Sequence, residues 1–297
     1  MKPEYVFIPV LQIRPGLLLT YDICDPRPIR YNAIERYQFY DVTKLKTYSG
    51  LITKGSAKRL RKSINVLISL SEWKEATNFM TDEIFQFKIN FITLTLPSPQ
   101  GQISDLQLKQ YCLKPWLKYW RRKTNGMSYV WRAERQKNGN LHFHICSDRY
   151  IYYKDLRDTW NKQLNKYHFI NDFATKHGHR DPNSTDVHSV NKIDDLAGYL
   201  VKYMAKLDPK EQRIEGRVWD ASTNIKQAKY CDTVIDTDIS EELRLLDSQP
   251  GNRKFEAERC TGLFINPTNF EKSLPPAISK TYQNYLKDLR SSSQIVD

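Results

Sequence analysis

The clearest patterning of apolar and polar positions lies between residues 85 and 210. "FQFKINFITLTL" (85–96) is rich in aromatic and β-branched residues and predicts a strand. Its apolar positions change phase midway. Phe85, Phe87, Ile89 and Phe91 are odd-numbered, whereas Ile92, Leu94 and Leu96 are even-numbered. One extra residue flips the facing of all that follow, so a β-bulge is expected near Phe91. "PSPQG" ends the strand. "SDLQLKQYCLKPWLKYWRRK" then has helical spacing behind a capping box from Ser104 to Gln107, with Pro115 placed to kink it. Two alternating segments, "SYVWRAERQ" and "LHFHICS", flank Asn138-Gly139. "YKDLRDTWNKQLNKY" is helical, a polar loop leads to a short strand "DVHSV", and "KIDDLAGYLVKYMAKL" is an amphipathic helix. The order β-α-β-β-α-β-α predicts an α+β fold. Its natural form is a split β-α-β, ferredoxin-like antiparallel sheet with helices on one face and the other face free for a site.

Outside this stretch the periodicity is weaker. The first fifty residues carry turn residues such as "CDPRP" and read as an irregular or short-stranded arm. "SAKRLRKSINVLISLSEW" predicts a helix with a basic first half and Ser56 as its N-cap. Residues after about Lys210 are polar and show little pattern. Three parts are expected: an N-terminal extension with a basic helix (1–80), a core (81–210) and a C-terminal extension (211–297).

The register of the 129–147 hairpin carries the chemistry. A two-residue Asn138-Gly139 turn would set Arg135 across from His142. A three-residue loop, Lys137 to Gly139 with the glycine left-handed, sets Glu134 there instead. Tyr129, Trp131 and Ala133 alternate with Val130, Arg132 and Glu134, and Leu141, Phe143 and Ile145 alternate with His142 and His144. Only the three-residue loop puts the apolar sets together. The other register sets Arg132 and Glu134 among Leu141, Phe143 and Ile145, and burying unpaired charge costs several kcal/mol. Two imidazoles and a carboxylate then share a face, a ligand set for a divalent metal with open positions. The bland alternative is a solvated strand face that happens to contain histidines. His177 and His179 in "KHGHR" have the same spacing but read as a solvated loop, and His188 is a possible extra site residue.

Composition narrows the partner class. The 297 residues are 40% hydrophobic and 12% aromatic, enough for a core, and carry a formal net charge of +12. Such a balance favours a polyanion, nucleic acid above all, through displacement of counterions from phosphates. No run of some eighteen apolar residues predicts a membrane span, and the N-terminal stretch lacks a signal-peptide layout. The five scattered cysteines form neither a disulfide framework nor a CxxC zinc site, which suits a reducing cytoplasm.

"YLVKYMAK" places Tyr199, Lys202, Tyr203 and Lys206 on one helical stripe beside an apolar stripe of Leu196, Leu200, Met204 and Leu207. An ordinary amphipathic helix would show the same spacing. A phenol has a pKa near 10 and is a poor nucleophile at neutral pH, unless a nearby cation and a polarised phosphate let it react as phenolate.

"FITLTL", "HFH" after "NG", and "YLVKYMAK" together resemble the three ordered motifs of HUH endonucleases, the rolling-circle replication initiators. The paired tyrosines are most similar to the two-tyrosine initiators of small single-stranded-DNA phages. The resemblance covers roughly residues 85–206. It implies an HUH/RRM-like core that nicks single-stranded origin DNA, keeps a 5′-phosphotyrosine and later rejoins the strand. By the same resemblance His142 and His144 hold Mg²⁺ or Mn²⁺ and Tyr199 and Tyr203 are the nucleophiles. Lys202 and Lys206 assist, and Glu134 is the third ligand on the register argument. Arg132 and Lys192 are expected to contact DNA. No GxxxxGK[ST] motif is present, which implies a host helicase and polymerase in the cytoplasm of a bacterial host, if the chain is phage-encoded. Plasmid initiators, relaxases and transposases share this chemistry. A non-catalytic binder of single strands is the competing class, and a zinc hydrolase is disfavoured by the lack of HExxH.

Overall fold

The computed structural model describes residues 5–26, 48–77, 81–101, 103–190, 196–205, 212–228, 230–234, 239–265 and 270–294. They fall into two compact units, one from residues 1–47 with 229–287 and the other from residues 48–228 with 288–297. Among the described residues no helix is long and apolar enough to cross a membrane.

The chain opens with β1 (Tyr5–Arg14) and β2 (Leu17–Pro26), then α1 (Lys54–Leu70), β3 (Lys74–Thr77), β4 (Ile84–Phe87) and β5 (Ile89–Leu94). Next come α2 (Asp105–Leu108), α3 (Lys114–Lys123), β6 (Tyr129–Arg135) and β7 (Leu141–Ser147). α4 (Tyr153–Asn165), α5 (Phe169–His177), β8 (Thr185–Val190) and α6 (Leu196–Met204) follow. The remainder is β9 (Trp219–Ala221), α7 (Thr223–Gln227), β10 (Cys231–Val234), α8 (Ser240–Asp247), β11 (Arg253–Ala257), β12 (Cys260–Phe264), α9 (Phe270–Ser273) and α10 (Pro276–Gln294).

The first unit is built on an antiparallel sheet of order β10-β1-β2-β12-β11. Its leading hairpin runs in unbroken register from Tyr5↔Pro26 to Arg14↔Leu17. Pro15-Gly16 makes the turn, with Gly16 at φ +74°: proline presets the first torsion and glycine takes the left-handed second. The arm expected to be irregular is therefore two ten-residue strands. Val10, Leu11, Gln12 and Ile13 are buried in succession, as on a strand covered on both faces, so alternation gave no signal.

The second unit reaches beyond residues 81–210 on both sides, taking in α1, β9 and α7. Its main sheet has the order β8-β5-β7-β6-β9 with antiparallel neighbours throughout. β5 and β6 are joined through helices with β7 inserted between them, the split β-α-β of a ferredoxin-like sheet. One face packs on helices: the ring of Phe143 lies 6.1 Å from Trp131 and 6.3 Å from Trp160 of α4. The opposite face carries Arg132, Glu134, His142 and His144. α6 lies on that side through its bonds to Arg132, and α1 packs against α6 and β6. Val130 and Cys146 are buried there, so the face expected to be free is partly covered.

Local chemistry corrects three expectations. Thr53, not Ser56, caps α1. Ser56 N–H donates to Thr53 Oγ1 at 3.1 Å, and Thr53 N–H donates back to Ser56 Oγ at 2.9 Å. The phase change in "FQFKINFITLTL" is not a bulge at Phe91. The strand breaks at Lys88, and β4 pairs with β3 whereas β5 pairs with β7 and β8. Ahead of Pro115 the helix widens to a π turn over Lys109–Leu113, in which Lys114 N–H reaches Lys109 O. The extra residue gives room for a ring that would otherwise crowd the preceding turn. The Ser104–Gln107 capping box is present as expected. α5 occupies part of the expected polar loop and puts His177 at its end.

Candidate metal centre and tyrosine helix

Gly139, at φ +84°, closes the β6-β7 hairpin. Gln136 N–H donates to Asn140 O at 2.8 Å, leaving Lys137, Asn138 and Gly139 as the loop. The register is therefore Glu134↔His142 and Arg132↔His144, the three-residue alternative. Glu134 Oε2 lies 3.4 Å from His142 Nε2 and 3.2 Å from His144 Nε2. The three candidate ligand atoms are all within 4.8 Å of one another. Burial alone would raise the Glu134 carboxyl. The hydrogen bonds from His142 and His144 and the charge of Arg132 outweigh it and hold the group well below the ordinary carboxylate range.

This arrangement fits a divalent cation. One carboxylate oxygen accepts from both imidazoles, so a proton on each Nε2 occupies the place that a shared cation would take, and both must leave when it binds. Two imidazoles and a carboxylate make a nitrogen–oxygen donor set that leaves further positions open, and its chemistry does not single out one metal.

Two residues that sequence reasoning passed over complete the trio's setting. Thr93 Oγ1 lies 3.2 Å from His144 Nδ1. A hydroxyl can donate or accept, so it serves either tautomer and fixes the ring with Nε2 aimed at Glu134. Phe91 stacks on His144 with ring centres 5.3 Å apart. Both belong to "FITLTL". Once β5 is known to begin at Ile89, alternation sends Phe91 and Thr93 to the histidine face while Ile92 and Leu94 go to the core.

Arg132, expected at the DNA surface, is 1% exposed. Its NH2 contacts Glu134 Oε1 at 2.9 Å, and NH1 donates to the carbonyls of Tyr203 at 3.1 Å and Met204 at 3.2 Å. One guanidinium thus joins the trio's carboxylate to the C-terminal end of α6.

α6 buries Leu200 and Met204 and exposes Tyr199, Lys202 and Tyr203. The two tyrosine rings are 4.8 Å apart, and Tyr203 lies 6.2 Å from Phe91. A line of ring contacts therefore runs from Tyr199 through Tyr203 and Phe91 to His144. Burial first, then the charge of Tyr203 and a hydrogen bond with it, raise the Tyr199 phenol above its ordinary value. Tyr199 keeps its proton firmly in the free chain. Lys192 and Lys206 lie outside the described residues, as does Leu207.

The remaining histidines are elsewhere. His177 and His179 both pack on Phe173, at 4.4 and 5.1 Å between ring centres. His188 pairs with Asp186 at 2.7 Å on the exposed edge strand β8, one strand beyond β5. Among the described residues, only Glu134, His142 and His144 cluster as a metal site would require.

No curated protein and no solved structure matches the chain. A family model of the replication-associated protein ORF2 type matches residues 89–208, from the first residue of β5 to just beyond α6. That segment contains the trio and both tyrosines, and the match supports a replication initiator of the rolling-circle kind.

Proposed function

We propose that the chain is a two-tyrosine HUH endonuclease that nicks and rejoins single-stranded DNA at a replication origin. The observation that carries this reading is the line of contacts from Tyr199 and Tyr203 through Phe91 to His144, which brings the candidate nucleophiles to the one metal-competent cluster among the described residues. Glu134, His142 and His144 would hold Mg²⁺ or Mn²⁺. Bound there, the ion supplies positive charge that polarises a scissile phosphate and neutralises charge developing on it.

The chain's own groups do the rest. A tyrosine Oη forms a bond to phosphorus while the P–O3′ bond breaks. The phenol's proton is lost in that step, and the leaving oxygen gains one to become a 3′-hydroxyl. Because Tyr199 holds its proton firmly beforehand, deprotonation belongs to the step rather than preceding it. Lys202 and Lys206 stand on the same stripe to stabilise the phenolate or the phosphate. Arg132 keeps Glu134 ionised and aimed. The second tyrosine then attacks the regenerated origin while the first still holds a 5′ end, and the freed 3′-hydroxyl closes the strand. Duplex opening and synthesis fall to the host's helicase and polymerase, in the cytoplasm of a bacterial host if the chain is phage-encoded.

The test is formation of a covalent protein–DNA adduct on denaturing gels, with single-stranded origin DNA and Mn²⁺ or Mg²⁺. The adduct is expected with wild type and absent with His142→Ala. A non-catalytic binder gives no adduct under any condition. Each single Tyr→Phe variant retains some cleavage but fails at strand closure.

A further inference from the structure

A second chemically distinctive place lies at the other end of the same hairpin. An enclosed cavity of about 340 Å³ is lined by residues that include Trp73, Lys74, Ser128, Asp148, Arg149 and Asn224. Ser128 precedes β6 and Asp148 follows β7. Glu134 is six residues from Ser128, so the cavity and the trio are about 20 Å apart along an extended strand.

The cavity floor is built from paired polar groups that leave two atoms over. Ser128 N–H donates to Asp148 Oδ1 at 2.8 Å, and Asn224 Nδ2 donates to Ser128 Oγ at 2.9 Å. Asn224 is 6% exposed, and its Oδ1 is buried without a partner. Turning the amide over exchanges the two atoms but still leaves one unmatched. Arg149 Nε is also buried without a hydrogen bond, 4.0 Å from Asp148 Oδ1. Orphaned buried groups of this kind cost free energy unless something fills them. Burial, the largest influence, raises the Asp148 carboxyl, which favours the protonated form that can donate. The rim is aromatic and basic: Trp73 is 59% exposed, and the Lys88 amine sits 5.5 Å over its ring.

A ligand that satisfies this floor carries donors and acceptors side by side in one plane. A phosphate offers acceptors alone and would meet the carboxyl of Asp148. A nucleobase offers both along its edge and presents a flat face to an exposed indole. We propose that this cavity takes a nucleobase splayed from the single strand, its edge on Asn224, Arg149 and Asp148 and its ring against Trp73. The identity of that strand rests on the single-strand DNA reading above, but nicking is not required. The site selects sequence a few nucleotides from the point of cleavage.

The experiment uses the full chain without metal and measures binding of oligo-dA, oligo-dC, oligo-dG, oligo-dT and an abasic oligomer by fluorescence anisotropy. One homopolymer should bind at least about fivefold tighter than the abasic strand, the lower end of what one stacked base contributes. Asn224→Ala and Trp73→Ala should each remove that margin, and His142→Ala should leave it. Trp73 is exposed, so its variant keeps the test sound if the buried Asn224 variant fails to fold. Equal binding of all five strands overturns the proposal, as does a margin that persists in both variants. Inorganic phosphate competing equally against every strand overturns it in favour of an anion site. A base preference without any adduct in the nicking assay removes the nickase reading and leaves this one standing.

Discussion

The β6-β7 hairpin and α6 meet at one site, but they hold their chemical groups on opposite terms. In the hairpin, Glu134, His142 and His144 are fixed by register, by mutual hydrogen bonds, by Thr93 and by the buried Arg132. On α6, Tyr199 and Tyr203 are 36% and 47% exposed and touch mainly each other and Phe91. A ligand set gains from being preorganised, because a cation binds best where its donors already converge. A nucleophile that must reach a bulky strand, and alternate with a twin, gains from exposure. Arg132 belongs to both regions: it bonds the carboxylate of one and the last carbonyls of the other.

Variants can break this contrast from either side. The largest effect is expected from Tyr199→Phe combined with Tyr203→Phe. Adduct formation should fall by at least about a thousandfold, as when a nucleophile is removed, while calorimetry finds metal affinity unchanged. Glu134→Ala should weaken metal binding by roughly a hundredfold or more and carry adduct formation down with it, leaving the tyrosines in place. Equal metal affinity in that variant would break the contrast outright.

Arg132→Met is expected to touch both regions. Loss of its bonds should destabilise the fold by about 3 kcal/mol in chemical unfolding, since a carboxylate and two carbonyls are left behind. It should also lower metal affinity by roughly tenfold. Thr93→Val should lower metal affinity by about tenfold or less without affecting stability comparably. The smallest effect is one of pH. Glu134 is held below its ordinary value of 4.5, so its contribution to metal-free stability is present above that pH and is lost as pH falls below it. Glu134→Gln should show a shallower acid limb than wild type in that window. Identical limbs would mean that the carboxylate is not held by its neighbours.

The legible parts of the molecule were those where a local rule has one solution. The hairpin loop, the Glu134↔His142 register and the Ser104–Gln107 box follow from alternation and capping alone. The strand order of the second unit follows from the order of elements. What escaped depends on contacts distant in sequence. β4 and β5 look like one strand until their different partners are known. Arg132 looks like a surface cation because nothing nearby says that α6 ends above it. β1 and β2 pair with β10 and β12, more than two hundred residues away, and their doubly buried positions show no alternation.

The central claim is that the fixed trio serves the exposed tyrosines. Mass spectrometry of the nuclease-trimmed adduct formed on single-stranded origin DNA tests it most directly. A phosphodeoxynucleotide on Tyr199 or Tyr203, formed with Mn²⁺ or Mg²⁺ and lost in His142→Ala, is the predicted result. A nucleotide on any other residue, or one on α6 that survives His142→Ala, would contradict it.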